Sequence, residues 1–238
     1  MNLSRKVAII TGASSGIGAA VARELANAGM NLVVTARRKG RLDKLAKEFP
    51  GTIAVAGDIT ATGQPKRLLD AALNTFGRCD VVFNNAGTLE VAPLDTLDIE
   101  RVSDMVRANV EAAYRMAYVA VKHFRSVNRG QLINTSSVLG SKVRATAGWY
   151  AGTKFAIEAL SESLRMELAG TGVKVSCIEP GLVATELHDR WNVPPTKALK
   201  IKNPLQPDDV ARCVRFLLEQ PNHVLIAKLM VLPAEHQI

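Results

Sequence analysis

The sequence predicts an α/β fold, a doubly wound parallel sheet of about seven strands with helices on both faces. Three observations lead there. Compact apolar runs of strand length alternate with segments whose apolar residues recur at helical spacing, the pattern of a parallel sheet buried on both faces. Turns of glycine and small polar residues follow several of these runs directly. The polar residues that stand out, Asn85, Ser137 and the Gly12 to Gly18 turn, all fall at carboxyl ends of strands, so they share the sheet edge where ligands of such folds lie.

The first run, Val7-Ala8-Ile9-Ile10, stops at Thr11-Gly12-Ala13-Ser14-Ser15-Gly16-Ile17-Gly18, and helical spacing then holds from Ile17 to Ala28. Glycines between a buried strand and a helix start allow a tight turn and close approach to a pyrophosphate, whose charge meets unsatisfied N–H groups and the positive end of the helix dipole. An ordinary strand-to-helix turn is the plainer alternative. The second strand, Leu32-Val33-Val34, ends at Thr35-Ala36-Arg37-Arg38. In a dinucleotide-binding sheet this end faces the adenosine ribose, where an acid would bond the 2′-hydroxyl. No acid stands there, and Arg37 would instead pair with a 2′-phosphate, favouring NADP over NAD. The alternative leaves Arg37, Arg38 and Arg41 as exposed charges at the start of a helix.

Thr52 to Ala56 reads as a third strand, Asp58 opens a polar turn, and a helix runs from about Pro65 to Phe76. The fourth strand, Val81-Val82-Phe83, closes on Asn84-Asn85-Ala86-Gly87, small residues suited to a bound ligand or to a simple turn. A long helical pattern from Ile99 to Phe124 carries Asn109 inside it, where asparagine competes for backbone hydrogen bonds. The fifth strand starts at Leu132-Ile133 and ends at Asn134-Thr135-Ser136-Ser137, before a loop from Gly140 to Gly148 and a helix from Tyr150 to about Leu168. The sixth, Val173 to Ile178, is stopped by Glu179-Pro180-Gly181. A basic, proline-rich stretch from Thr185 to Pro207 breaks the pattern, as a lid, a binding loop or disorder would. A helix from Asp208 to Leu218 and a strand from Val224 to Leu232 complete the chain.

Tyr150 and Lys154 are four apart on a helix and so face a common space. A tyrosine titrates near pH 10, and a neighbouring ammonium lowers that value, giving a proton donor with its own electrostatic tuner. Taken alone, such a pair is far more often a solvated helix face.

Bulk properties narrow the classes further. The 238 residues are 47% hydrophobic, and no apolar run approaches the ~18 needed to cross a bilayer. The run Val7 to Ile10 is too short for the core of a secretory signal. Cys79, Cys177 and Cys213 lie far apart without Cys-x-x-Cys spacing, which suggests neither a metal site nor a disulfide framework and fits a reducing cytoplasm. The net charge is +8, but aromatics are only 5% and the basic residues are scattered, so a nucleic-acid surface is disfavoured.

Together, Thr11-Gly12-x-x-x-Gly16-Ile17-Gly18, Asn84-Asn85-Ala86-Gly87, Asn109, Ser137, Tyr150-x-x-x-Lys154 and Pro180-Gly181 followed by Thr185 resemble the short-chain dehydrogenase/reductase family over nearly the whole chain. The resemblance implies a single Rossmann-type NAD(P)-binding domain over residues 1–238, with a substrate lid at about 185–207. It implies that Tyr150 is the general acid or base, that Ser137 bonds the substrate oxygen, that Lys154 tunes Tyr150 and holds the nicotinamide ribose, and that Asn109 binds a water for proton supply. The turn Gly12, Ser14, Ser15, Gly16, Ile17 and Gly18 would carry the pyrophosphate, and Arg37 with Arg38 the adenosine phosphate. Asp58 would take the adenine edge, Asn85, Ala86 and Gly87 the ribose side, and Pro180, Gly181, Val183 and Thr185 the nicotinamide end. Ser15 stands where many NADP-preferring members carry a basic residue. Homodimers or homotetramers paired through the helices Ile99 to Phe124 and Tyr150 to Leu168 are implied.

The expected substrate is a small carbonyl compound, secondary alcohol or hydroxy acid. After Thr185, Leu187 and Trp191 offer apolar contact, while His188, Arg190, Lys197, Lys200 and Lys202 offer charge, suited to a small 3-hydroxy or 3-oxo acid or simply to water. A catalytically idle NADP-binding regulator is the competing reading, although it has no need of Asn109, Ser137, Tyr150 and Lys154 together.

Overall fold

The computed structural model describes residues 3–189, 191 and 193–237. Strands β1 Val7–Thr11, β2 Asn31–Thr35, β3 Thr52–Ala54, β4 Val81–Asn84, β5 Gly130–Thr135, β6 Val173–Pro180 and β7 Lys228–Val231 form one sheet in the order β3-β2-β1-β4-β5-β6-β7. Every pairing is parallel, with Ile9 of β1 beside Val33 of β2 and Val82 of β4. The expected doubly wound parallel sheet is therefore the observed one.

Helices α1 Gly16–Asn27, α2 Lys39–Glu48, α3 Gln64–Phe76, α4 Ile99–Val106, α5 Ala113–Ser126, α6 Gly148–Glu167, α7 Pro195–Ala198 and α8 Pro207–Glu219 connect and cover the strands. Alternate strand residues point to opposite faces, which divides the core in two. Ala8, Ile10, Leu32 and Val34 meet Val21, Leu25, Leu42 and Val214 of α1, α2 and α8. Val7, Ile9, Val33 and Leu132 meet Leu68, Met116, Phe124 and Leu164 of α3, α5 and α6. Because both faces are covered, the strands read as unbroken apolar runs rather than alternating ones.

Strand order reverses at β1, which has β2 on one side and β4 on the other, so a crevice opens beyond their carboxyl ends. Thr11 closes the floor of that crevice: its hydroxyl accepts from the N–H groups of Asn85 and Ala86 at 2.8 and 2.9 Å.

Four elements differ from the sequence reading. β3 and β7 are shorter than the apolar runs that suggested them, because the sheet pairs only Thr52 to Ala54 and Lys228 to Val231. The long helix from Ile99 is interrupted by a π-helical turn, Arg107–Ala112, with Asn109 inside it. Residues 185–207 are not irregular throughout, since a short helical turn Glu186–His188 and α7 lie within them. Their base is pinned by a parallel bridge between Val183 and Leu205.

Candidate active site

A cavity of about 1160 Å³ runs along the carboxyl edge of the sheet. At one end lies the glycine turn. Gly12 and Gly16 have φ of +72° and +53°, a region open to glycine and strained for other residues. A Cβ on Gly12 would stand 2.9 Å from Asn85 Nδ2, and one on Gly18 only 2.4 Å from the Gly12 carbonyl oxygen. Gly18 thus packs behind the turn rather than facing the cavity, while Gly12, Ser14, Ser15, Gly16 and Ile17 line it. Ser15 stands at the N-cap of α1 but gives the helix no side-chain cap; its hydroxyl accepts from Arg38 instead. The first turn of α1 therefore offers N–H groups and a positive dipole end to the cavity, a cradle of the size and charge that suit a pyrophosphate.

Around the cradle stand the other residues singled out by sequence. Arg38 also donates to Ser14 Oγ at 3.0 Å and to Glu186 at 2.6 Å, and Arg41 reaches the same carboxylate at 2.6 Å. Those two guanidinium groups hold the Glu186 carboxyl down to about 2. Arg37 is exposed at the cavity wall, and its side chain makes no hydrogen bond or ion pair among the described residues. Asp58 lines the same end, held below the ordinary carboxylate range by hydrogen bonds from the backbone and hydroxyl of Thr60, with Arg37 contributing. Asn85 is fixed by Thr11 and Thr135, and it faces the cavity with Ala86 and Gly87.

Deeper along the edge, Ser137, Tyr150 and Lys154 meet on one wall. Ser137 follows β5 and caps a short helical turn, its oxygen accepting from Leu139 N at 3.1 Å, which leaves its proton free to donate. Burial pushes the Tyr150 phenol up to about 12, with the Ser137 hydrogen bond pulling the other way. Lys154 Nζ lies 5.6 Å from the centre of the Tyr150 ring and donates to the Thr135 carbonyl at 2.9 Å. The expected lowering of Tyr150 by Lys154 does not govern this arrangement, in which desolvation dominates and the amine is turned to the Thr135 carbonyl. Burial also lowers Lys154 itself to about 8, against smaller contributions from Cys177 and Glu158.

Asn109 is 2% exposed and stands behind this wall rather than in it. Its carbonyl oxygen accepts from Thr88 N at 2.8 Å, and its amide donates to Thr88 O at 2.9 Å and Thr153 Oγ1 at 3.3 Å. The misfit of asparagine in a helix thus has a physical reason: the π-helical turn swings it out to clamp the loop after β4. Thr153 in turn donates to the Tyr150 carbonyl at 2.7 Å, linking that clamp to α6.

Pro180, Gly181, Val183 and Thr185 line the far side, and Thr185 packs against Gly16, with a methyl 3.1 Å from where a Cβ would stand. Leu187, His188 and Trp191 reach the cavity; Lys197, Lys200 and Lys202 do not line it, and Arg190 lies outside the described residues. Sequence reasoning missed Thr135 and Thr153, which hold Lys154 and Asn109, and also Arg144 and His236, which line the cavity from a loop and from the tail. No local pattern marks the last two, since only the fold brings them to the site.

A nucleotide-sized cleft at a strand-order switch, with a serine, a tyrosine and a buried lysine on its wall, defines an oxidoreductase-type α/β protein. The short chain dehydrogenase model matches residues 6–195. An uncharacterized oxidoreductase of Staphylococcus aureus (strain USA300) is 34% identical over 233 residues, covering 97% of this chain and 98% of that one. The closed form of serine dehydrogenase complexed with NADP+ superposes with a TM-score of 0.87 at 30% identity, covering 94% of each chain. The 3-ketoacyl-(acyl-carrier-protein) reductase from Brucella melitensis complexed with NADH gives 0.89 at 28%, covering 98% of each. The chain belongs to the short-chain dehydrogenase/reductase family, whose members are oxidoreductases that work with a nicotinamide cofactor.

Proposed function

We propose that the protein is an NADP(H)-dependent oxidoreductase that interconverts a small carbonyl compound with a secondary alcohol or hydroxy acid through Ser137, Tyr150, Lys154 and Asn109. The observation that carries this reading is that the Ser137 and Tyr150 hydroxyls and the Lys154 amine share one cavity with the glycine cradle. When bound, the nicotinamide ring supplies or takes the hydride.

The protein's own groups handle the oxygen and its proton. Tyr150, protonated at neutral pH, gives its proton to a carbonyl oxygen in reduction and takes one back in oxidation. Ser137 donates a hydrogen bond to the same oxygen. Lys154, already fixed by the Thr135 carbonyl, holds the ribose and returns a proton to Tyr150. The side chain of Asn109 is engaged by Thr88 and Thr153, so its contribution is to hold the wall, and any water relay runs past its backbone instead.

Arg37 supports NADP, because Arg38 and Arg41 are engaged by Glu186 while Arg37 is left to meet a 2′-phosphate. The solved relatives divide, one holding NADP+ and the other NADH, so the preference rests on Arg37. We take residues 1–238 as one domain and residues 185–207 as its substrate lid. Pairing through α4 to α6 is supported by exposed apolar groups there, with Trp149 52% and Met166 75% exposed. No helix among the described residues is long and apolar enough to cross a membrane. The free cysteines are in keeping with a reducing cytoplasm.

The test is to follow loss of reduced-nicotinamide absorbance when the protein meets a small reactive diketone with NADPH or with NADH. Turnover that favours NADPH is expected. Preference for NADH would refute the reading of Arg37.

A further inference from the structure

The cavity that Tyr150 lines also carries, from a loop, the lid segment and the tail, nitrogen groups with no partner among the described residues. Arg144, from the loop before α6, is half-buried, and desolvation lowers its proton affinity. Its side chain makes no hydrogen bond or ion pair among the described residues; the guanidinium lies 5.5 Å above the Trp191 ring. Trp191 Nε1 is buried without a partner. His188 stands edge-on to Trp191 at 5.2 Å, and its Nδ1 is buried without a partner. His236, from the C-terminal tail, presses its buried, unpaired Nδ1 against Gly181.

The chemistry of this set is one-sided. Guanidinium and indole N–H groups donate and cannot accept, and a histidine offers at least one donor. Buried polar atoms are ordinarily paired, so three partnerless buried nitrogens beside a half-buried guanidinium call for an acceptor. The carboxylates nearby do not serve: Glu186 is taken by Arg38 and Arg41, and Asp189 is exposed and bears on His188 alone. Arg144 also repels protons from both histidines, a conflict that negative charge between them would relieve.

The lid is held where this set needs it. Glu235, one residue before His236, accepts from Lys202 N at 2.6 Å and from Asn203 Nδ2 at 2.7 Å. The tail, whose His236 packs on Gly181, is thereby tied to the segment that carries His188 and Trp191.

We propose that Arg144, with the Trp191 indole N–H and the imidazoles of His188 and His236, forms a carboxylate subsite, so that the substrate is a small hydroxy acid or oxo acid. This rests on the hydride-transfer reading and adds the substrate's second anchor to it. The carbinol or carbonyl lies at Ser137 and Tyr150, and the carboxylate lies at Arg144 in the same cavity. An arginine fork suits the two oxygens of a carboxylate, and a neutral analogue leaves the donors unpaired.

The test compares kcat/KM for oxidation of 2-hydroxybutanoate and 3-hydroxybutanoate with that of their methyl esters, followed by nicotinamide absorbance. At least one acid should exceed its ester by about tenfold or more, since a site built to bond a group rejects the analogue lacking it. Arg144→Met should cut that acid-to-ester ratio by about tenfold, and Trp191→Phe, which removes only the N–H, severalfold. The ratio does not depend on the active fraction of a variant, so partial misfolding leaves the test intact. A wild-type ratio near one, or a ratio that Arg144→Met leaves unchanged, overturns the subsite. Diketone reduction run alongside separates the two claims. If it is lost in Tyr150→Phe while no acid is preferred, the subsite falls and hydride transfer stands; if it survives in Tyr150→Phe, the parent reading falls.

Discussion

Replacing Lys154 with methionine should abolish turnover while leaving the fold as stable as before or more so. Lys154 is 7% exposed, and burial lowers its pKa from 10.5 to about 8. At ~1.4 kcal/mol per pH unit, keeping that ammonium charged at pH 7 opposes folding by about 3 kcal/mol. Methionine removes the charge and keeps the apolar stem, but it strips the Thr135 carbonyl of its donor, at a cost of about 1–3 kcal/mol. The balance is a gain between zero and about 2 kcal/mol, or up to roughly 6 °C in Tm for a chain of this size. The pH dependence gives the sharper sign. Between pH 8 and 10.5 the unfolded chain binds more protons at this lysine than the folded one, so the wild type gains about 2–3 kcal/mol by pH 10 and the variant's advantage vanishes and reverses. Tyr150, Cys79 and Cys177, all raised to about 12, withdraw stability above pH 9 to 10 in both proteins. Urea unfolding at pH 7 and pH 10 measures the gap. A variant less stable by more than 2 kcal/mol at pH 7, or a gap that does not change with pH, would refute the reasoning.

Asn109→Ala should lower stability by about 2–3 kcal/mol, because it orphans both the N–H and the C=O of Thr88; thermal melting should show a fall of roughly 5–10 °C. Gly18→Ala places a Cβ 2.4 Å from the Gly12 carbonyl oxygen, so the turn must open, and fluorescence titration should show NADPH affinity reduced by about tenfold or more. Arg37→Ala should shift the kcat/KM ratio of NADPH to NADH toward NADH by about tenfold or more, as loss of one charge-assisted phosphate contact implies; an unmoved ratio would assign the 2′-phosphate elsewhere.

The sheet and the cofactor cradle were legible because they depend on local pattern. Ile9, Val33 and Val82 sit in runs that only a twice-buried strand explains, and the Gly12 to Gly18 turn joins such a run to a helix start. Tyr150 and Lys154 were legible through helical spacing, and Ser137 through its place at a strand end. The π-helical turn was not, because its cause lies in a partner twenty-one residues away: Asn109 leaves the regular helix to clamp Thr88. The state of Tyr150 was missed for the same kind of reason. Spacing shows that Lys154 is near, but not that desolvation dominates or that the amine is turned to Thr135. Arg144 and His236 carry no signal of their own, since a loop and a tail meet only once the sheet is built.

The most direct measurement is the turnover of Tyr150→Phe with NADPH and a small diketone, paired with its NADPH dissociation constant. The central claim is that the Tyr150 hydroxyl is the proton donor. Losing it should cut kcat by about 10²- to 10⁴-fold while NADPH binding stays within about threefold of wild type. A variant that keeps most of its turnover would contradict the claim, whatever its affinity for the cofactor.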